Sequence, residues 1–126
     1  MIVMEAALKI LAVDDNPSIR QSMPYIFAGP RYEVSTAPDC DHALASLNAN
    51  PTGYDVIIVD QKMPQGTGVE LVQGIRERGI TGKIMVLSAH LSAAIRKAYE
   101  QMDVHMLMDK PFDIEELRLA VDRLAA

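Results

Sequence analysis

Four short, largely apolar runs punctuate the chain, and each stops at chemistry. Ile10-Leu11-Ala12-Val13 stops at Asp14-Asp15, and Val56-Ile57-Ile58-Val59 stops at Asp60. Ile84-Met85-Val86-Leu87 stops at Ser88, and His105-Met106-Leu107-Met108 closes on Asp109-Lys110-Pro111. Runs of this length without alternation predict strands buried on both faces of a parallel sheet. A further segment, Tyr32-Glu33-Val34-Ser35-Thr36, does alternate, as a strand nearer the sheet edge would. The predicted strands cover about 8–13, 32–36, 55–59, 83–87 and 104–108.

Between them, apolar residues recur at helical spacing. Asn16 caps the first helix with Pro17 at its first position, and Ile19, Met23, Ile26 and Phe27 form its apolar stripe. Pro24 removes a backbone bond inside that helix and predicts a kink or early break, with Gly29-Pro30 ending it. Asp39 opens a second helix with Cys40, Ala43, Leu44 and Leu47 on one face, followed by a turn over Asn50-Pro51-Thr52-Gly53. A loop from Gln61 to Gly66 leads to a third helix, where Thr67 and Glu70 form a capping box, and Gly79 and Gly82 bracket the turn after it. The fourth helix, about 91–102, groups Leu91, Ile95, Ala98 and Met102. Asp113 caps the last, with Ile114, Leu117, Val121 and Leu124 inward.

Five strands alternating with five helices predict a (βα)5 α/β fold, a doubly wound five-stranded parallel sheet of flavodoxin-like order 2-1-3-4-5. Residues 1–126 read as a single domain, with no repeat, linker or output domain visible. In open sheets of this kind ligands sit at the carboxyl ends of the strands. Asp14, Asp15, Asp60, Ser88 and Lys110 therefore converge on one rim. Two adjacent acids near a third repel unless a cation neutralises them, and oxygen ligands suit Mg²⁺. A carboxylate can also attack phosphorus to form an acyl phosphate. Three acids, a hydroxyl and a lysine can thus hold a divalent cation and receive a phosphoryl group.

Composition narrows the field. Apolar residues make up 49% of the 126, enough for a core, and no stretch approaches a membrane span. Met1-Ile2-Val3-Met4-Glu5 carries no signal-peptide pattern, and the single Cys40 excludes an internal disulfide, so a reducing cytoplasm is expected. A net charge of −5 without a basic stripe argues against direct nucleic-acid binding. His42 and His105 have no partner at ligand spacing and read as surface or filler residues. Gly79-Ile80-Thr81-Gly82-Lys83 lacks the spacing of a phosphate loop.

In order and spacing, Val13-Asp14-Asp15, Asp60, Met63-Pro64 followed by Gly68, Ser88-Ala89 and Lys110-Pro111-Phe112 form one set. With it the chain resembles, over essentially its whole length, the receiver domain of bacterial two-component response regulators. The resemblance implies a regulatory phosphoacceptor whose catalysis is limited to its own phosphorylation and dephosphorylation. Asp60 would take the phosphoryl group from a histidine kinase or histidine phosphotransfer protein and switch a downstream protein effector; a homodimer stays open. It implies that Asp15, Asp60 and the backbone carbonyl of Lys62 bind Mg²⁺ directly and that Asp14 acts mostly through water. Lys110 would pair with Asp60 and then with the phosphoryl oxygens, Ser88 would hydrogen-bond one of them, and the Lys110-Pro111 bond would be cis. Lys62 and His90 stand at two variable positions facing the phosphoryl group and its attacking water, where shielding is the expected effect.

Leu107 departs from the pattern, since the family usually carries Tyr or Phe three residues before the lysine. That puts the usual readout through the fourth helix and fifth strand in doubt. Asp103-Val104 replaces the common Gly-Ala, Thr67 a frequent Asp, and Pro24 is unusual in the first helix. Three other classes compete. A receiver-fold interaction module with weakened switching is favoured by Leu107 alone. An aspartate-nucleophile phosphatase of the haloacid-dehalogenase type wants a second Asp where Lys62 stands. A flavin-binding flavodoxin relative would need a hydroxyl-rich phosphate loop where Asp14-Asp15-Asn16 would repel the phosphate.

Overall fold

Alternation within each strand explains how the chain builds two cores. The computed structural model describes residues 6–63, 66–89 and 91–126. In chain order the elements are β1 Leu8–Val13, α1 Pro17–Ile26, β2 Tyr32–Ala37, α2 Cys40–Ala49, β3 Val56–Asp60, α3 Gly68–Glu77, β4 Lys83–Ser88, α4 Ala93–Glu100, β5 Met106–Asp109 and α5 Ile114–Ala125. The five strands pair in parallel in the order β2-β1-β3-β4-β5, as expected. Successive side chains on a strand point to opposite faces. Leu11, Val13, Ile57, Val59, Ile84 and Val86 therefore pack under α2, α3 and α4. Ile10, Ala12, Val56, Ile58, Met85 and Leu87 pack under α1 and α5. Every residue of β3 is buried, which is why its run shows no alternation. β2 lies at the edge and keeps Glu33, Ser35 and Thr36 exposed.

The helix starts are set locally. Asn16, Asp39, Thr67, Ser92 and Asp113 each stand in extended conformation and accept a backbone N–H from the first turn. Thr67 Oγ1 accepts from the Glu70 amide at 3.2 Å, which is the Thr half of the expected box. α1 ends two residues after Pro24, with the Phe27 amide bonded to the Met23 carbonyl. This is the early break expected of a residue without an N–H; Gly29, at φ +107°, falls in the turn beyond it.

Several expectations need correction. The segment expected as a loop contains two short strands, Lys62–Met63 and Gly66–Thr67, paired antiparallel. α4 is shorter than the 91–102 expected, because Ser92 caps it and Gln101 closes it. Its fully buried residue is Tyr99, outside the expected stripe, while Leu91, Ile95 and Met102 are only half-buried. β5 starts at Met106 rather than 104, since the Val104 amide still bonds back to the Tyr99 carbonyl in α4. Ile114 is 54% exposed: the whole first turn of α5 faces solvent, and contact with the sheet begins at Leu117.

Candidate functional site

Register brings the chemistry to one level. Val13 pairs with Val59, Asp60 with Leu87 and Ser88 with Asp109, so the residues that end β1, β3, β4 and β5 leave the sheet side by side. They line an open cavity of about 410 Å³ with Asp14, Asp15, Asp60, Lys62, Ser88 and Lys110 on its walls.

The first acidic pair is held by its own turn. Asp14 Oδ1 accepts the Asn16 amide at 2.9 Å, and Asn16 Oδ1 accepts the Ser18 amide at 2.9 Å. Arg20 Nη1 donates to the Asp14 carbonyl at 2.9 Å, tying α1 to the end of β1. Asp14 is buried and Asp15 exposed. On the opposite wall the Lys110 amide donates to the Ser88 carbonyl at 2.8 Å, and the Lys110-Pro111 bond is cis, as the resemblance implied. Lys110 Nζ lies 3.2 Å from Asp60 Oδ1 and 3.7 Å from Asp14 Oδ2.

Asp60 is 5% exposed. Burial pushes its carboxyl above the ordinary range, and the charge of Asp14 adds to that. The Lys110 ammonium and the Lys62 amide pull the other way without cancelling the rise. The lysine therefore does not balance the acids on its own. Carboxylate oxygens of Asp14, Asp15 and Asp60 lie within 4.8 Å of one another, and Asp14 Oδ2 has no hydrogen-bond donor among the described residues. An under-neutralised, all-oxygen cluster with an undonated buried oxygen fits a hard divalent cation such as Mg²⁺.

The residues expected at this rim are thus brought together, except His90. His90 and Pro64 lie outside the described residues, as do Gln65 and the N-terminal Met1–Glu5. Leu107 stands back from the cavity, packed with the α3–α4 core. His42 bonds Asp39, its own helix cap, and His105 Nδ1 accepts the Ile84 amide at 3.2 Å, so neither joins the site. Sequence reasoning missed Arg20, Gln61 and Tyr99. Arg20 carries no local signal for its bond to Asp14. Tyr99 does: it falls at helical spacing between Ile95 and Met102.

The family model of the response regulator receiver domain matches residues 10–122. The chain belongs to this family. The receiver domain is 34% identical to the transcriptional regulatory protein ResD of Bacillus subtilis over 117 residues, 92% of this chain and 47% of ResD. It is 32% identical to response regulator MprA of Mycobacterium leprae over 110 residues, 87% of this chain and 47% of MprA. The receiver domain so spans about half the length of these curated relatives. Among solved structures it superposes on the chemotaxis protein CheY4 of Vibrio cholerae with a TM-score of 0.86 at 34% identity, covering 94% of this chain and 99% of that one. The receiver domain of Francisella response regulator 1452 gives 0.83 at 30% identity, covering 94% and 96%. These matches favour none of the competing classes: interaction module, haloacid-dehalogenase-type phosphatase or flavodoxin relative. Among the described residues, no helix of the receiver domain is long and apolar enough to cross a membrane.

Proposed function

We propose that Asp60 accepts a phosphoryl group from a phosphohistidine on a kinase or phosphotransfer protein. The observation that carries this reading is the placement of Lys110 Nζ 3.2 Å from Asp60 Oδ1, beside the Asp14–Asp15 pair. A carboxylate oxygen of Asp60 forms the new bond to phosphorus as the phosphorus–nitrogen bond of the donor breaks, and the electron pair leaves with the imidazole. Such a transfer needs positioning and charge neutralisation more than covalent chemistry from the protein. Lys110 follows the phosphoryl oxygens, and the Ser88 hydroxyl, buried at the end of β4, donates to one of them. Asp14, Asp15, Asp60 and the Lys62 carbonyl would hold Mg²⁺, which when bound neutralises charge on acids and phosphoryl group alike.

The acyl phosphate serves regulation rather than turnover of a separate substrate, and the cytoplasm is the compartment that suits a kinase-fed module. The downstream partner is a protein effector; ResD and MprA carry the words transcriptional regulatory and response regulator in their names, and a transcriptional output is the corresponding expectation for a longer chain. Incubation with acetyl phosphate and Mg²⁺ should give one phosphoryl adduct by intact mass, absent from Asp60→Asn. An equal adduct in that variant overturns the assignment.

A further inference from the structure

Tyr99 is fully buried in α4, and among the described residues its hydroxyl has no hydrogen-bond partner. Gln61 Oε1, buried beside Asp60 in the chain, has none either. Both meet at Gly68, the first residue of α3. A Cβ there would overlap the Tyr99 hydroxyl oxygen and lie 3.0 Å from Gln61 Oε1. Only a glycine leaves room for the two polar atoms to approach. Gln61 is fixed through its backbone, its N–H bonded to the Leu87 carbonyl and its carbonyl to the Gly68 N–H, each at 2.9 Å. Its backbone is thereby held, and its side chain carries the unpartnered oxygen.

Burial holds the Tyr99 phenol protonated, far above its ordinary pKa, and the charge of Asp60 pushes in the same direction. The hydroxyl is thus a permanent donor that already senses Asp60. A buried donor and a buried acceptor left apart are both penalised, and joining them removes both penalties. The two atoms are apart here, and a small movement of α4 or of the Gln61 side chain would join them. Leu107 packs in the same cluster but has no polar atom with which to take such a part.

We propose that Tyr99 is a positioning residue that couples the state of Asp60 to α4, its hydroxyl donating to Gln61 Oε1 when Asp60 gains a phosphoryl group. The added negative charge beside Gln61 favours the state in which the phenol O–H points toward it, and α4 moves with Tyr99. A ligand biases only states that interact with it differently, and this pair supplies the difference. The inference rests on Asp60 being the phosphoacceptor.

The test compares wild type, Tyr99→Phe and Gln61→Met with and without beryllofluoride and Mg²⁺. Adduct formation from acetyl phosphate is followed by mass, amide exchange over residues 93–100, and the ¹³Cζ resonance of Tyr99 in tyrosine-labelled protein. Expected are a shift of the wild-type Tyr99 resonance and an exchange change across α4 that both variants lose while still forming the adduct. A merely structural ring would leave that change intact in Tyr99→Phe. Adduct formation with an unmoved Tyr99 resonance, or with the same α4 change in a folded variant, overturns this inference alone. Absence of any adduct in wild type overturns the phosphoacceptor reading and this inference with it. If Tyr99→Phe does not fold, Gln61→Met and the wild-type resonance decide.

Discussion

Lys110 Nζ lies 3.2 Å from Asp60 Oδ1, although the two residues are 50 positions apart in the chain. The contact exists because β3 and β5 flank β4 and end at one level. It leaves the site short of positive charge: three carboxylates face one ammonium, and burial with the Asp14 charge still raises the Asp60 carboxyl.

Asp60→Asn should therefore stabilise the metal-free protein at neutral pH, by roughly 1 kcal/mol, the common scale of a single substitution. The sign follows from linkage. A carboxyl whose folded pKa is raised contributes its stability below the unfolded pKa and loses it as pH rises through the folded one. The gain in the Asn variant is thus largest at neutral pH and shrinks toward about pH 4. Urea midpoints in chelator across this range check it; a gain that grows on acidification contradicts it.

Mg²⁺ affinity should depend on Asp15 more than on Asp14. Asp14 already spends one oxygen on the Asn16 amide and sets the other 3.7 Å from Lys110, whereas Asp15 is exposed to the cavity. Asp15→Asn should weaken binding by more than the roughly tenfold that loss of an outer partner costs. Titrations of wild type, Asp14→Asn and Asp15→Asn decide, and unchanged affinity in Asp15→Asn rules the site out.

Lys62 is exposed and lines the cavity. It can offer charge to phosphoryl oxygens but cannot act as a base while protonated. Lys62→Ala, alone and with His90→Ala, should shorten the lifetime of the phosphoryl group by opening the approach of water. The decay rate at fixed Mg²⁺ and pH is the measurement, and decay no faster than wild type counts against shielding.

Arg76 ties the end of α3 to the turn before β5. Its guanidinium donates to the carbonyls of Met102 at 3.0 Å, Ile80 at 2.7 Å and Asp103 at 2.8 Å. Asp103 stands at φ +55°, where a side chain is strained. Arg76→Ala should cost roughly 1–2 kcal/mol by leaving three carbonyls, two of them partly buried, without this donor. Asp103→Gly should stabilise by up to about 1 kcal/mol. Urea unfolding reads both, and a destabilised Asp103→Gly would show that the strain is not there.

What the chain determined by itself is whatever can be read within a few residues. The apolar runs gave strands because a strand buried on two faces has no polar positions, as in Val56–Val59. Asn16, Asp39 and Asp113 marked helix starts because an N-cap bonds within its own first turn. Pro24 marked the break because the missing N–H is its own. The acids, serine and lysine could be assigned to one rim because a parallel sheet puts every carboxyl end on the same side.

Tertiary structure decided what depends on which elements face each other. Ile114 has the right period to be inward, yet none of the described residues covers the first turn of α5. Tyr99 has the right period too, but its burial and the approach of its hydroxyl to Gly68 depend on how α4 crosses α3. The Asp103 strain is held by an arginine 27 residues away. The balance of charge around Asp60, the property its chemistry depends on, was likewise not legible. It is set by distances across the rim and by burial, which the sheet register decides, and neither is a property of any stretch of sequence.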